Sequence, residues 1–238
     1  MLHSFTEAQL NEVFARPAIR EVAFEIRFAP RLRVAAELWK LQDQLAEEYP
    51  NVGSESAFQP GGAVLNVNVL QNSANARVLK VSQENFVVAF TRYSCFEDFK
   101  AEALSKTQLF CHTFGIKAVT RVGLRYVNDI MIPVGRPSAL LEMARPLIDF
   151  DRLAIDDVDQ FVNEIRFRHK AHFVTLRSVL LAPLEDGRRI YVLDIDCHSV
   201  FPQQADNIPN VLDEYHDAAQ RYFLDHITEA YKNVMRGK

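Results

Sequence analysis

The centre of the chain reads T-R-V-G-L-R-Y-V-N-D-I-M-I over residues 120–132, and its alternation of residue types predicts a β-strand. The predicted inner face is apolar except for Asn128 and carries Val122, Leu124, Tyr126, Ile130 and Ile132. The opposite face mixes charged, small and apolar residues, namely Arg121, Gly123, Arg125, Val127, Asp129 and Met131. Because strands usually span about five or six residues, this length predicts a strand at the centre of a sheet or one that bridges two sheets.

The segments on either side of this strand predict an α+β fold. Alternating apolar residues predict strands at 21–28, 63–70, 76–82, 86–92, 161–168, 172–181 and 189–200. Apolar residues at helical spacing predict helices at 34–49, 96–114, 138–148 and from Asn207 to about Met235. A short helix is expected over residues 6–14. Residues 51–62 contain several Gly, Ser and Pro and are predicted to be a loop.

The order of these elements predicts two similar halves within a single compact domain of residues 1–238. Residues 20–115 and residues 118–236 each read β-α-β-β-β-α. Because hairpin connections dominate, we expect a mostly antiparallel sheet with the helices packed on one side. The long helices could then leave a cleft between the halves.

The helix predicted at 96–114 carries clear signals at both of its ends. Ser94, followed by Glu97 three residues later, has the pattern of a capping box. Gly115 suits the position after the last turn, where glycine adopts the left-handed conformation most easily. The phenylalanines of this helix are expected to lie in the core.

Composition excludes several classes of protein. The chain has 238 residues, a net charge of −4 and 48% hydrophobic residues, so it has no overall positive charge to attract nucleic acid or an anionic membrane. Cys95, Cys111 and Cys197 show no paired spacing, which favours free thiols in a reducing compartment. No apolar run approaches the roughly 20 residues that span a bilayer. We therefore expect a cytoplasmic protein.

One group of candidate binding residues lies on the central strand. Arg125, Tyr126, Asn128 and Asp129 follow one another closely, and Arg125 and Asp129 share a face. They could bind a polar ligand or an anion. The alternative, which we favour, is that the charged residues form ion pairs with neighbouring strands and that Asn128 holds a bulge or a strand end.

A second group lies on the last long strand. Asp194, Asp196 and His198 alternate, so all three project from one face, where they could bind a metal or act in acid–base catalysis. His169 or His172 could join them from a nearby strand. A solvated strand face has the same pattern, and we favour that alternative. The sequence predicts neither a metal nor a cofactor.

Basic residues form a third group at Arg166, Arg168, His169 and Lys170, with Arg177, Arg188 and Arg189 expected nearby. This group could bind nucleic acid or an acidic partner. The favoured alternative is a solvated sheet face whose arginines pair with the acidic segment 149–159.

The motifs of common enzyme classes are absent from the sequence. It contains no G-x-S-x-G, G-x-G-x-x-G, Walker A or H-E-x-x-H pattern. With eight glycines in the whole chain, a phosphate-binding loop is not expected. Whether the protein is an enzyme stays open, and the sequence favours a protein without catalytic activity.

Several short motifs resemble those of a sporadically distributed bacterial family of uncharacterised proteins of about this length. The strongest is R-V-G-L-R-Y-V-N at 121–128. It is accompanied by P-A-I-R-E-V-A-F-E-I-R-F at 17–28, E-Y-P at 48–50, F-E-D-F at 96–99, L-D-I-D at 193–196 and D-E-Y-H at 213–216. The family pattern usually has a Trp before the 76–92 hairpin, where this chain has Ala74 and Asn75. The resemblance implies no catalytic residues.

Three functions follow as expectations from these patterns. The first is a non-enzymatic binding or regulatory protein that acts through a protein partner, as an oligomer, or through a small ligand in the cleft between the halves. The second is an enzyme that uses Asp194, Asp196 and His198, with or without a metal. The third and weakest is an accessory or defence protein associated with nucleic acid.

Overall fold

The computed structural model describes residues 5–6, 10, 12–58, 64–133, 137–148, 150, 155–200 and 203–237. The fold is α+β, as predicted, with nine strands in a large antiparallel sheet of order β2-β3-β4-β5-β1-β7-β10-β9-β8. The strands are β1 (Ile19–Arg27), β2 (Asn51–Phe58), β3 (Val64–Asn72), β4 (Arg77–Val81), β5 (Asn85–Phe90), β6 (Ala118–Val119), β7 (Arg121–Ile132), β8 (Phe161–His169), β9 (His172–Leu180), β10 (Arg189–Ser199) and β11 (Gln203–Gln204). The short strands β6 and β11 pair with each other in a separate two-stranded sheet.

The described residues contain six α-helices. They are α1 (Leu32–Ala36), α2 (Leu38–Leu45), α3 (Phe96–Phe114), α4 (Ala139–Met143), α5 (Ile208–His226) and α6 (Glu229–Met235). Turns of 3₁₀-helix occur at Ile155–Asp157 and Ala205–Asn207. None of the described helices is both long and apolar enough to cross a membrane.

The chain divides into two compact units. The first unit comprises Met1–Arg20, Arg125–Cys197 and Tyr215–Lys238, and the second comprises Glu21–Leu124 and His198–Glu214. The division falls inside β7, between Leu124 and Arg125, and inside α5, between Glu214 and Tyr215.

Aromatic side chains of α3 build the core of the second unit. Phe110 stacks on Phe86 of β5 with ring centroids 4.4 Å apart, and its ring also lies 5.4 Å from that of Phe28. Phe99 meets Phe90 edge-on at 5.1 Å. The helix ends at Gly115, whose φ of 67° is the left-handed conformation expected after the last turn. The Phe-rich helix is therefore a core element, as predicted.

Tyrosine–histidine contacts join α5 to the strands of the first unit. The hydroxyl of Tyr126 on β7 lies 2.9 Å from Nδ1 of His216. The hydroxyl of Tyr222 lies 2.8 Å from Nδ1 of His169 on β8. The rings of Tyr215 and His172, which lies on β9, have centroids 4.8 Å apart. These contacts place one side of α5 against the sheet.

The central strand has the predicted alternation. Strand β7 is twelve residues long, and every residue of its predicted inner face is buried, including Asn128. On the opposite face Gly123 and Val127 are also buried, whereas Arg125 and Met131 are exposed. This agrees with a strand that has neighbours on both sides.

Two predictions of secondary structure in the second unit were wrong. Most of the predicted loop 51–62 is strand β2, which pairs antiparallel with β3 along its whole length. Its residues 51–56 are all exposed, so the strand lacks the apolar alternation by which it could be found. The helix predicted at 34–49 is two helices, α1 and α2, separated at Glu37.

Helix ends also differ from the predictions. The N-cap of α3 is Cys95, and the hydroxyl of Ser94 instead donates to the Asp98 carboxylate at 2.8 Å, so the capping box does not form. The predicted final helix is interrupted near Thr228, whose side chain caps α6 by accepting a hydrogen bond from the Tyr231 amide. Helix α4 is shorter than predicted. Most of the predicted helix 6–14 lies outside the described residues.

Candidate functional site

The guanidinium of Arg125 and the carboxylate of Asp194 face each other across β7 and β10. Nε donates to Oδ1 at 2.8 Å and Nη2 donates to Oδ2 at 2.7 Å, which is the bidentate geometry of a strong ion pair. The Asp194 residue is buried, whereas 47% of the Arg125 side chain is exposed. The structure therefore joins one residue from each of the first two candidate groups in a structural contact.

The remaining candidates on β7 are also held by neighbours within the first unit. Asn128 is buried and its Nδ2 donates to the Leu193 carbonyl at 3.0 Å. Asp129 accepts from Nη1 of Arg20 at 3.0 and 3.2 Å. Tyr126 is buried against His216. Arg125 and Asp129 thus form ion pairs with residues of β10 and β1, respectively.

The other candidates on β10 lie in different surroundings. Asp196 is half-buried in the first unit, whereas His198 is buried and belongs to the second unit. His169 and His172, the proposed additions to this group, contact Tyr222 and Tyr215 of α5. Across the ranges that the structure describes, no group of three or more His, Cys, Asp or Glu residues is placed to hold a metal ion.

The third candidate group forms an organised surface on the hairpin of β8 and β9. The guanidinium carbon of Arg166 lies 4.4 Å from the ring centroid of Phe173, and that of Arg168 lies 5.3 Å from the same centroid. In the strand register Arg168 is opposite Phe173, and Glu164 is opposite Arg177. Residues 164, 166, 168, 173 and 177 therefore share one face of the hairpin, because side chains alternate along a strand and paired residues point the same way. We call Arg166, Arg168, Phe173 and Arg177 the arginine face.

The arginines of this face are exposed, and the face also carries Glu164, opposite Arg177. An ion pair requires a distance of at most 4.0 Å between a guanidinium nitrogen and a carboxylate oxygen. Among the described residues, no carboxylate lies this close to Arg166, Arg168 or Arg177. By contrast, Arg20, Arg77, Arg121, Arg125 and Arg236 each contact a carboxylate.

The predicted pairing of these arginines with the acidic segment 149–159 is found at one neighbouring residue. Arg189 donates to the carbonyl oxygen of Asp159 at 2.6 Å, and its guanidinium lies 3.9 Å from the Asp159 carboxylate. The carboxylate of Asp156 accepts from the Ser138 amide instead. Asp149 and Asp151 lie outside the described residues. Among described residues, the segment thus pairs with Arg189 and not with the arginine face.

Sequence reasoning found the arginines of this face and missed the aromatic residue that holds them. The signal was the R-x-R pattern of β8, followed by a two-residue turn at Lys170 and Ala171 and then by Phe173. Lys170 has φ of 50°, as tight hairpin turns require. A turn of two residues fixes the register, and the register sets Phe173 opposite Arg168.

Sequence reasoning also missed a network of charges around α3 in the second unit. Lys106 is buried, donates to Glu48, and lies 3.9 Å from Glu102. Glu102 also accepts from the Tyr49 hydroxyl at 2.5 Å and from Arg77 at 3.2 Å. Burial and the Glu102 hydrogen bond raise the pKa of Tyr49 far above its usual value. Every charge in this network faces an opposite one, so the network serves the fold.

Cys111 and Cys197 are poorly suited to nucleophilic catalysis. Burial raises the pKa of Cys111 to about 11. Burial and the nearby Asp196 raise the pKa of Cys197 even further. A thiol acts as a nucleophile through its thiolate, so raised pKa values reduce its reactivity near neutral pH.

Comparisons with known proteins do not identify this chain. No model of a known protein family matches it, and no curated protein matches it either.

Proposed function

We propose that this chain is a cytoplasmic, non-enzymatic binding or regulatory protein, and that its arginine face binds an acidic segment of a protein partner. The observation that carries the proposal is the set of three exposed arginines whose guanidinium groups all lie more than 4.0 Å from every described carboxylate. Free thiols at Cys95, Cys111 and Cys197 support the cytoplasmic location, because such thiols are typical of reducing compartments.

The geometry of the face suits an extended segment with acidic residues at alternate positions. Arg166 and Arg168 are two residues apart on one strand, so their Cα atoms are separated by roughly 7 Å. Alternate side chains of an extended peptide have the same spacing. Contact with Phe173 restricts both guanidinium groups before a partner arrives, which reduces the entropy lost on binding.

An acidic protein segment fits better than nucleic acid. The whole chain has a net charge of −4, so its overall charge repels a polyanion and the attraction is confined to the arginine face. Carboxylates accept paired hydrogen bonds from guanidinium groups, and a short segment needs only a few of them. The binding test therefore compares the acidic peptide with a nucleic-acid probe.

The catalytic alternative has no comparable support. It needs the Asp194 carboxylate as a ligand or base, and both oxygens of that carboxylate accept hydrogen bonds from Arg125. We therefore propose that the chain binds a protein partner and not a small ligand.

We also propose that the two halves of the chain repeat one order of elements. We propose further that the chain belongs to the sporadic bacterial family that its motifs resemble. In residues 20–115, β1 lies beside β5, followed by β4 and β3. In residues 118–236, β7 lies beside β10, followed by β9 and β8. The first strand of each half thus lies beside the last strand of its three-strand series. Strand β2 is an addition to the first half, and the helices are proposed to lie on one side of the sheet.

Binding of a defined acidic peptide tests the function. The probe is a fluorescent peptide in which glutamate alternates with threonine, and fluorescence anisotropy measures its affinity at low and high salt. We expect binding that weakens with salt and that falls about tenfold or more in R166S/R168S/R177S, which removes three charges. The matched control R27S/R33S/R188S removes three arginines that already pair with local carboxylates, and it should bind like the native protein.

Two results would overturn this function. One is peptide binding that is equal in the two triple variants. The other is tighter binding of a single-stranded oligonucleotide of equal charge, which would make nucleic acid the partner.

A further inference from the structure

Strand β8 lies at the end of the strand order, so no described strand pairs with its outer edge. Two large apolar side chains of this strand are exposed, Val162 by 63% and Ile165 by 42%. An exposed edge strand with apolar side chains is a template for pairing with another strand, and soluble proteins usually protect such edges. The outer edge of β8 is therefore a candidate site for pairing with another strand.

The sequence of β8 is complementary to itself in one antiparallel register. If two copies pair with Ile165 opposite Ile165, each Glu164 lies opposite an Arg166 of the other copy. Each Val162 then lies opposite the aliphatic part of Arg168. Opposite charges that face each other across paired strands stabilise a sheet.

The registers centred on Glu164, Arg166 and Phe167 each place like charges directly opposite each other. Centring the pair on Glu164 sets two carboxylates against each other. Centring it on Arg166 sets two guanidinium groups against each other at the centre, although each Glu164 then lies opposite an Arg168. Centring it on Phe167 sets Arg166 opposite Arg168. Like charges directly opposite each other destabilise strand pairing, so the charges favour the register centred on Ile165 over these three.

We propose that β8 is a dimer interface, occupied by β8 of a second copy of this chain in the register centred on Ile165. The pairing continues the sheet from one copy to the other through main-chain hydrogen bonds. Its two-fold axis runs perpendicular to the sheet, so the arginine faces of both copies lie on the same side. The dimer does not require the proposed function.

Charge reversal tests the register, with association measured by sedimentation across a concentration series. E164R places arginine opposite Arg166, and R166E places glutamate opposite Glu164, so each variant should dimerise about tenfold or more weakly. Because the dimer is symmetric, each substitution introduces two like-charge pairs into the interface. E185R, which reverses an exposed charge in the turn between β9 and β10, should dimerise like the native chain.

The two single variants also rescue each other if the register is right. An equimolar mixture of E164R and R166E restores both opposite-charge pairs, so it should form a heterodimer. E164R/R166E should restore the homodimer. A native chain that stays monomeric at every concentration would overturn the proposal, as would single variants that dimerise as well as the native chain or a mixture that fails to associate.

A disulfide provides a second test that does not depend on charge. In the proposed register residue 165 faces its own copy, so Ile165→Cys should cross-link two chains under mild oxidation. Val162→Cys faces Arg168 and should not cross-link. Equal cross-linking of both variants, or of neither, would contradict this register.

Discussion

The Arg125 guanidinium holds both carboxylate oxygens of Asp194, at 2.8 and 2.7 Å. The pair joins a residue of the central motif R-V-G-L-R-Y-V-N to one of the L-D-I-D motif. The contact between Tyr126 and His216 likewise joins the central motif to D-E-Y-H. Residues that were candidates for a ligand site thus connect motifs that are distant in sequence, which makes these motifs determinants of the fold.

Removal of Arg125 tests this structural role. Arg125→Met leaves the buried Asp194 carboxylate without its guanidinium partner, so we expect the free energy of unfolding to fall by about 1–3 kcal/mol. Urea unfolding followed by circular dichroism measures it. Arg188→Met breaks a pair with Asp186 in which both side chains are about half exposed, and it should cost about 0–1 kcal/mol. Equal losses in the two variants would contradict a special role for the Arg125 pair.

Lys106 offers a second test of buried charge. Its side chain is almost fully buried between Glu48 and Glu102, so Lys106→Met leaves Glu102 without one of its neighbouring cations. We expect a loss of about 1–3 kcal/mol in the free energy of unfolding. Lys100→Met, six residues earlier on α3, breaks a more exposed pair with Asp213 and should cost about 0–1 kcal/mol. A loss at Lys106 no larger than at Lys100 would show that the network is not important for stability.

The end of α3 gives a test of backbone conformation. Gly115 has φ of 67°, where a side chain is strained, so Gly115→Ala should lower the free energy of unfolding by about 1 kcal/mol. An added Cβ would lie 4.0 Å from Nη1 of Arg31, so the cost comes from the backbone and not from a clash. Gly53 has no heavy atom within 4 Å of an added Cβ, and Gly53→Ala is the matched control. Thermal unfolding compares the two, and a Gly115→Ala protein as stable as the control would contradict the assigned conformation.

Buried tyrosines set the response to alkaline pH. Burial raises the pKa of Tyr191, Tyr222 and Tyr231 to about 12, and it raises that of Tyr49 further with help from Glu102. Because the unfolded phenol ionises near pH 10, the unfolded state loses protons first, and stability falls as the pH rises above about 10. Below pH 10 these groups contribute no pH dependence.

Absorbance at 295 nm measures this response. Fewer than seven phenolates should form near pH 10.5 while the fold persists, and the rest should appear as the chain unfolds. Ionisation of all seven tyrosines in the folded protein would contradict the assigned burial.

The central strand and the fold class could be predicted from sequence because burial left a periodic pattern. Strand β7 alternates strongly since one of its faces is completely buried. Strand β2 has no such pattern because its described side chains are exposed, and its pairing with β3 supplies the stability that its own residues do not signal. Tertiary contacts also decided the helix ends, as at Thr228, which caps α6 and donates to the Glu142 carbonyl.

The candidate residues could be predicted from sequence, but their partners could not. Arg125 and Asp194 are 69 positions apart, and the strand order β7-β10 decides that they meet. The arginine face depends on a register that the short turn at Lys170 sets. Residue types therefore revealed candidates, whereas the distinction between an internal ion pair and an exposed cationic surface required the three-dimensional arrangement.

Site-specific photocrosslinking in cells that naturally produce the protein tests the central claim, binding of an acidic partner at the arginine face, most directly. A photoreactive residue replaces Thr175, which lies opposite Arg166 in the register, and a second variant carries it at the exposed Leu32. Mass spectrometry identifies the adducts and the cross-linked peptide. The account predicts that position 175, and not position 32, captures a protein through a segment with alternating Asp or Glu residues, and that R166S/R168S/R177S abolishes the adduct. Adducts with nucleic acid, no adduct at position 175, or an adduct that persists in the triple variant would contradict it.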